Sequence, residues 1–149
     1  MRSTRTVLAS TASAVLSVGA TTALAAPAAV APGTTPQAVC GSGHRTVNSA
    51  PVGSLGTVYP TYNSANGENC VATIRDNPGP AVDMSARVYV PGTEEGADDY
   101  GRYTSYAGPV YVSGRARCVD RGGHIGNVHV QVHGSDCGAL EEHRVTFTR

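Results

Sequence analysis

The chain has 149 residues, with 11 basic and 11 acidic side chains, so its formal net charge is zero and its length suits one domain. Every basic residue is an arginine, and the chain lacks the basic surplus that nucleic-acid binding usually needs. Trp is absent and Phe occurs once, whereas Gly occurs 18 times and Pro 9 times, which is atypical of a helical bundle. We therefore expect a small, turn-rich domain with no nucleic-acid partner.

The N-terminus has the pattern of a secretory signal peptide. Arg2 and Arg5 precede an uncharged stretch from residue 6 to residue 24, and Ala23-Leu24-Ala25 supplies the small residues that signal peptidase recognises. We predict that residues 1–25 are removed during export. A membrane anchor is the alternative, but Ser and Thr dilute the stretch and no basic cluster follows it. The exported chain is thus expected to have no membrane span.

The remaining chain divides by composition into three parts. Residues 26–39 contain three prolines and no charge, which predicts a flexible Ala/Pro-rich leader. Residues 40–138 are predicted to form a single domain. Residues 139–149 form a C-terminal extension, for which a last strand, a helical turn and a frayed end all remain open.

The four cysteines indicate two disulfides, because an even number of cysteines in an exported chain is expected to oxidise. Three pairings are possible. Joining Cys40 to Cys70 and Cys118 to Cys137 closes the shortest loops, so this pairing has the lowest entropic cost and is predicted. A zinc site is disfavoured because no Cys-x-x-Cys spacing occurs.

Short apolar and β-branched runs predict an all-β fold. Residues 56–62 and 69–75 flank an Asn66-Gly67 turn signal, residues 84–90 and 127–133 alternate apolar with polar side chains, and residues 103–106, 109–113 and 116–120 are shorter candidates. No window has a helical apolar period. We predict a disulfide-stabilised β-sandwich or small barrel of about six to eight short strands.

Three further segments are predicted to interrupt or limit the strands. Residues 91–101 form an acidic, Gly-containing stretch and are predicted to be a loop, and Gly122-Gly123 is predicted to break the chain. Pro60 lies inside the first strand and indicates an edge strand or a bulge, because proline has no N–H to donate.

Histidines and acidic residues raise the question of a metal site. His124, His129, His133 and Asp136 are the transition-metal candidates, but His129 and His133 lie four residues apart, or about 13 Å along an extended strand. Calcium is the second candidate, through four acidic residues that lack an EF-hand spacing, namely Glu94, Glu95, Asp98 and Asp99. We expect no metal and no cofactor.

Tyrosine is the abundant aromatic residue and suggests a ligand platform. The candidate platform contains Tyr100, Tyr103, Tyr106 and Tyr111. The alternative is that these rings fill the core in place of Phe and Trp, with each hydroxyl reaching a partner.

Motifs for catalysis are absent from the sequence. No Gly-x-Ser-x-Gly or His-Glu-x-x-His motif occurs, and the cysteines are assigned to disulfides. We therefore predict no catalytic residues and a protein that is not an enzyme.

Both halves of the chain resemble the spore-associated protein A family of streptomycetes. The resemblance rests on Cys40-Gly-Ser-Gly43, residues 47–51, 53–59 and 62–67, Asn69-Cys70-Val71, residues 106–111, Cys118-Val119, Gly122-Gly123, Ile125-Gly126 and residues 133–138. It departs from the family pattern in three places. These are His44, where an aromatic residue is common, Arg121, where Trp is expected, and the tail after Gly138.

The resemblance implies a small exported protein of the spore or aerial hypha surface, with no established catalytic activity. The expected partners are spore or cell-wall components, held non-covalently, since the sequence ends at Arg149 without a sorting signal. A protease inhibitor is one alternative, with residues 115–117 as the bait segment beside Cys118. A carbohydrate-binding module is the other alternative, and the oligomeric state stays open.

Overall fold

One short helix and ten strands make up the part of the chain that the computed structural model describes, which is residues 33–137 and the backbone of residues 144–148. The predicted signal peptide and residues 26–32 of the predicted leader lie outside the described residues. The elements in chain order are α1 (Pro36–Cys40), β1 (Arg45–Thr46), β2 (Ala50–Pro51), β3 (Gly56–Asn63), β4 (Glu68–Arg75), β5 (Val82–Tyr89), β6 (Gly96–Tyr103), β7 (Tyr106–Ser113), β8 (Val119–Ile125), β9 (Val128–Ser135) and β10 (Arg144–Thr148).

The strands form two antiparallel sheets of five strands each. The first sheet has the order β1-β3-β4-β7, with β2 also paired to β3, and the second has the order β10-β9-β8-β5-β6. Buried side chains of both sheets meet in one core, as Val58 and Val71 of the first sheet pack with Met84, Ala86 and Val88 of the second. The predicted all-β class is therefore confirmed as a sandwich, and the described strands do not close into a barrel.

Strand number exceeds the predicted six to eight for identifiable reasons. β1 and β2 have two residues each, too few to give a recognisable pattern, and both pair with β3. β10 lies in the predicted C-terminal extension, where its backbone pairs with β9. The strand alternative for this extension thus holds for residues 144–148.

The prediction of a loop over residues 91–101 is wrong for most of its length. β6 begins at Gly96 and pairs with β5 through Tyr103, although its sequence is acidic. Backbone hydrogen bonds define this strand, and its position at the end of the sheet leaves the side chains of Asp98 and Arg102 in solvent. Hydropathy alone therefore does not reveal it.

The predicted break at Gly122-Gly123 is also wrong, because both residues lie within β8. A Cβ atom at Gly123 would lie 2.2 Å from Thr73 Oγ1 and 2.5 Å from the carbonyl oxygen of Ser85. Gly123 therefore faces the first sheet, at a point where the two sheets have no room for a side chain. The glycine serves close packing here and not a turn.

Pro60 lies opposite the gap between β1 and β2. β1 pairs with Thr61 and Tyr62, β2 pairs with Thr57 and Val58, and the carbonyl oxygen of Pro60 accepts a hydrogen bond from Val47 N between them. In an antiparallel strand the N and O of one residue point to the same side. The nitrogen of Pro60 therefore faces the incompletely paired side of β3, where no N–H is needed.

The predicted disulfides are confirmed as Cys40–Cys70 and Cys118–Cys137. The first bond joins α1 to β4 and packs with Ala72 and Ile74 on the outer face of the first sheet. The second closes a separation of 19 residues and links the start of β8 to the end of β9. In the chain-entropy model each bond contributes about 3 kcal/mol by restricting the unfolded chain.

The helix α1 begins before the predicted start of the domain. Thr35 caps its N-terminus by accepting a hydrogen bond from Ala38 N, and Cys40 at its last position is bonded to β4. Residues 36–39 of the predicted flexible leader are thus helical. The capping residue and the covalent link together stabilise a helix too short to form alone.

The close packing at Gly123 leads to a stability prediction. We expect Gly123→Ala to lower the free energy of unfolding by about 1–3 kcal/mol, because the added methyl group overlaps with buried atoms of both sheets. Gly79→Ala is the control, since its Cβ would meet only the end of the Arg75 side chain at 3.5 Å. Urea unfolding measures both variants, and equal stability of the two would contradict the packing argument.

Candidate functional site

The outer face of the second sheet carries a line of polar and aromatic side chains that spans four strands. The register places Tyr100 of β6 beside Ser85 of β5, Ser85 beside His124 of β8, and His124 beside His129 of β9. We call these four residues the imidazole row. Side chains alternate along each strand, so the sequence neighbours of these four residues point inward, as Met84 and Ala86 do beside Ser85.

Rings of the imidazole row contact one another directly. The ring centres of Tyr100 and His124 are 5.4 Å apart, and those of His124 and His129 are 4.8 Å apart with planes tilted by 31°. Tyr100 is 66% exposed, whereas His124 is 5% exposed beneath its neighbours. The row therefore has a solvent-facing aromatic end, a covered central imidazole and an exposed His129.

A hydrogen bond fixes the central imidazole. His124 Nδ1 lies 2.6 Å from Ser85 Oγ. Burial lowers the pKa of His124 below its ordinary value, the positive charges of His129 and Arg87 lower it further, and Asp83 opposes them. The neutral form of His124 is thus favoured in the folded protein.

Ser85 and His124 are the residue types of a hydrolytic pair, but their arrangement does not suit that chemistry. Ser85 is 1% exposed, so a substrate cannot approach its hydroxyl without displacing the residues above it. Within residues 33–137, no carboxylate hydrogen-bonds to the His124 ring, although a catalytic imidazole is normally oriented by such a group.

A shallow cavity of about 130 Å³ adjoins the imidazole row. Its lining contains Ser85, Arg87, Gly123, His129, Val130 and Gln131. The neighbouring Gly122 has no side chain, and this opens the outer face of the sheet between Arg87 and Gln131, which flank it in register. The cavity therefore combines a guanidinium, an amide and an imidazole around a backbone floor.

The four candidate tyrosines do not form one platform. Tyr100 lies on the outer face of the second sheet, whereas Tyr106 and Tyr111 pair with Ile74 and Cys70 on the outer face of the first. Tyr103 donates a hydrogen bond of 2.6 Å to Asp99 and lines, with Tyr111, an open groove along β6 and β7. β6 and β7 belong to different sheets, so tyrosines that are close in sequence do not lie side by side on one surface.

Acidic side chains proposed as calcium ligands have separate partners. Asp98 accepts from the Tyr89 hydroxyl at 2.9 Å, Asp99 accepts from Gly108 N at 2.7 Å, and Glu95 pairs with Arg117. Glu94 is exposed in the turn before β6. The described part of the chain holds no group of three or more His, Cys, Asp or Glu side chains placed to bind a metal.

The histidine and aspartate candidates are likewise divided between different environments. His133 Nδ1 lies 3.1 Å from Asp120, at the far end of β9 from His129, and Asp136 pairs with Arg121 inside the sandwich. Only His124 and His129 are brought together. A signal for this pairing exists in the sequence, because the two residues lie at equal distances from the Gly126-Asn127 turn.

Arg121 is buried in the core, with its side chain 1% exposed and that of Asp136 8% exposed. Its Nη1 donates to Asp136 and to Ser135 Oγ, and Nε has no hydrogen-bond partner among the described residues. Burial lowers the pKa of Arg121, and Asp136 opposes the shift. Position 121 faces inward between Val88 and Val132, so a Trp here would fill the core and would not offer a sugar-binding surface.

A second cavity of about 350 Å³ lies at the end of the sandwich, next to the Arg121–Asp136 pair. Its lining contains Val47, Tyr62, Asn69, Gly114, Ala116 and Asp136. His44, the other departure from the family pattern, packs its ring against Tyr111 at 5.8 Å and is 5% exposed. It therefore occupies a packed position of the kind that an aromatic residue also suits.

The proposed bait segment at residues 115–117 forms a turn that is held by hydrogen bonds and by an ion pair. Arg117 N donates to the carbonyl oxygen of Gly114, Arg117 also contacts Glu95, and the Arg115 side chain donates to the carbonyl oxygens of Ser64 and Ala65. A bait loop needs an exposed, extended backbone without internal hydrogen bonds. This geometry disfavours the protease-inhibitor alternative.

Asp136 provides a test of the buried ion pair. We expect Asp136→Asn to lower the free energy of unfolding by about 3–5 kcal/mol, because the Arg121 charge loses its buried partner. Asn is suitable because position 136 has a φ of 58°, which Asn tolerates. Glu95→Gln is the control, since its exposed pair with Arg117 contributes less than about 1 kcal/mol. Urea unfolding compares them, and similar losses would contradict the difference in burial.

The lowered pKa of His124 predicts a dependence of stability on pH. Below the ordinary value of 6.5 the unfolded chain protonates at this residue while the folded chain resists, so stability falls as the pH falls below that value. His129→Gln removes one cause of the lowering, so the pKa of His124 rises in that variant. NMR titration of the imidazole C–H signals measures the change, with His133→Gln as the control. An unchanged His124 pKa in His129→Gln would contradict the contact between the two rings.

None of the helices among the described residues has the length and apolar character needed to cross a bilayer.

Comparison with known proteins identifies one curated relative. Spore-associated protein A of Streptomyces coelicolor is 59% identical to this chain over 104 residues, which are 68% of this chain and 66% of that protein. The matched region thus spans slightly less than two thirds of the relative's length. No family model matches the chain, and no solved structure matches it.

Proposed function

Because the chain belongs to the spore-associated protein A family, we propose that it is an exported, non-enzymatic protein that associates non-covalently with the spore or cell surface. The identity of 59% to a protein named for its association with spores is the observation that carries this proposal. The two disulfides support export, because such bonds form and persist in oxidising environments outside the cytoplasm.

The outer face of the second sheet is the proposed contact surface. It presents Tyr100 at 66% exposure together with the exposed side chains of Arg87 and His129. These groups combine an amphipathic ring with hydrogen-bond donors, and such surfaces bind through several weak contacts and bridging water. Reversible attachment follows from contacts of this kind.

Two features support the proposal that the protein is not an enzyme. Ser85, the serine that contacts an imidazole, is 1% exposed, and the two disulfides use all four cysteines of the sequence. Neither Ser85 nor a cysteine therefore offers an accessible nucleophile.

A carbohydrate-binding module is the second candidate, and the exposed ring of Tyr100 favours it. A single tyrosine beside His124 and the polar cavity is a small surface on which a sugar ring can stack. Pull-down on chitin and on peptidoglycan distinguishes this candidate from association with a protein component of the surface.

The proposed association leads to a prediction about spore fractions. We expect the protein on spores, with release by salt or mild detergent, because the contacts are polar and non-covalent. Tyr100→Ser is expected to shift protein from the spore fraction to the culture fluid. Immunoblotting of each wash measures the distribution.

Tyr106→Ser is the matched control, because Tyr106 is also exposed, at 38%, but lies on the first sheet. Recovery of the wild-type protein only from culture fluid would contradict surface association. Equal shifts for the two variants would contradict the choice of surface.

A further inference from the structure

We propose that His124 and His129 form a reversible binding site for a divalent late transition-metal ion, with Cu²⁺ bound most tightly among them. The site lies on the outer face of the second sheet and uses one nitrogen of each imidazole, with water completing the coordination shell. It revises the expectation of no metal drawn from the sequence. It shares His129 with the proposed contact surface, but it is tested by metal binding in solution and not by association with spores.

The distance between the two rings carries the proposal. Their centres are 4.8 Å apart, and the residues are direct neighbours across β8 and β9. An ion bound about 2.0–2.1 Å from one nitrogen of each ring, at an angle near tetrahedral, places two imidazole centres about 5 Å apart. The existing spacing of the ring centres is thus compatible with two imidazole ligands on one ion, once the exposed His129 ring turns its nitrogen toward that ion.

Ser85 supplies the orienting contact that a metal-binding imidazole requires. Metal-bound histidines commonly donate their other ring N–H to a nearby oxygen, which fixes the tautomer. In His124 the oxygen is Ser85 Oγ, 2.6 Å from Nδ1. When Nδ1–H donates to this oxygen, the lone pair of Nε2 is free for an ion.

The surroundings of the two rings also permit binding. His129 is exposed, so its ring can turn toward the ion at little cost. Arg87 opposes a cation, but Asp98 lies beside it in register and Asp83 lies on the same strand.

The type and number of the protein ligands determine which metal ions bind at this site and how tightly they bind. Imidazole nitrogen suits Cu²⁺, Ni²⁺ and Zn²⁺, and the general order of affinities peaks at Cu²⁺. Two protein ligands are fewer than the four of a structural zinc site. The ion is therefore expected to exchange with solution and to be lost on dialysis.

Titration of the purified protein with Cu²⁺ tests the proposal. Calorimetry gives the affinity, and electron paramagnetic resonance reports the nitrogen ligands of the bound ion. We expect one Cu²⁺ per chain with two imidazole nitrogens. His129→Ala is expected to weaken binding at least about tenfold and to remove one nitrogen from the spectrum.

His133→Ala is the matched control, because His133 is exposed on the same strand and face but pairs with Asp120. Its affinity for Cu²⁺ is expected to stay within about twofold of the wild type. His129 is exposed, so its substitution leaves the fold intact, and thermal unfolding without metal verifies this. Equal affinity of His129→Ala and wild type would overturn the proposal, as would an equal loss in His133→Ala.

Discussion

The close approach of the two sheets is the constraint on which the rest of the structure depends. The core is built mostly from Val and Ala, and at Gly123 the space between the sheets has no room even for a methyl group. Because Gly123 must face the first sheet, the alternation along β8 fixes which of its side chains point into the core and which point to solvent. His124 must then point outward, and the register with β5 and β9 places it between Ser85 and His129.

A polar interaction inside the sandwich accompanies this thin apolar core. Arg121 occupies an inward position of β8, two residues from Gly123, and its charge is matched by Asp136 just after β9. The second disulfide joins Cys118 to Cys137, which flank the two charged residues. The covalent bond therefore restrains the segment that carries Asp136, which helps to maintain the partner of a charge that water does not reach.

Much of the fold could be predicted from the sequence, because alternation and local cysteine loops are local signals. The strands around Met84 and Val130 and both disulfides follow from such signals. β6 could not be predicted, since an edge strand is stabilised by backbone pairing that its acidic side chains do not reveal. The candidate site depended on register between strands distant in sequence, so Ser85 and Tyr100 gave no sign of their shared row with His124.

One margin of each sheet, β7 in the first and β6 in the second, lies next to the other. An exposed strand margin can recruit a strand from another molecule, which leads to uncontrolled polymerisation. In this chain β6 carries the exposed charges of Asp98 and Arg102, and Asp99 of β6 accepts a hydrogen bond from Gly108 N of β7. Charge and this hydrogen bond between the two margins thus make strand addition unfavourable. These two margins are therefore poor templates for a strand from a second molecule.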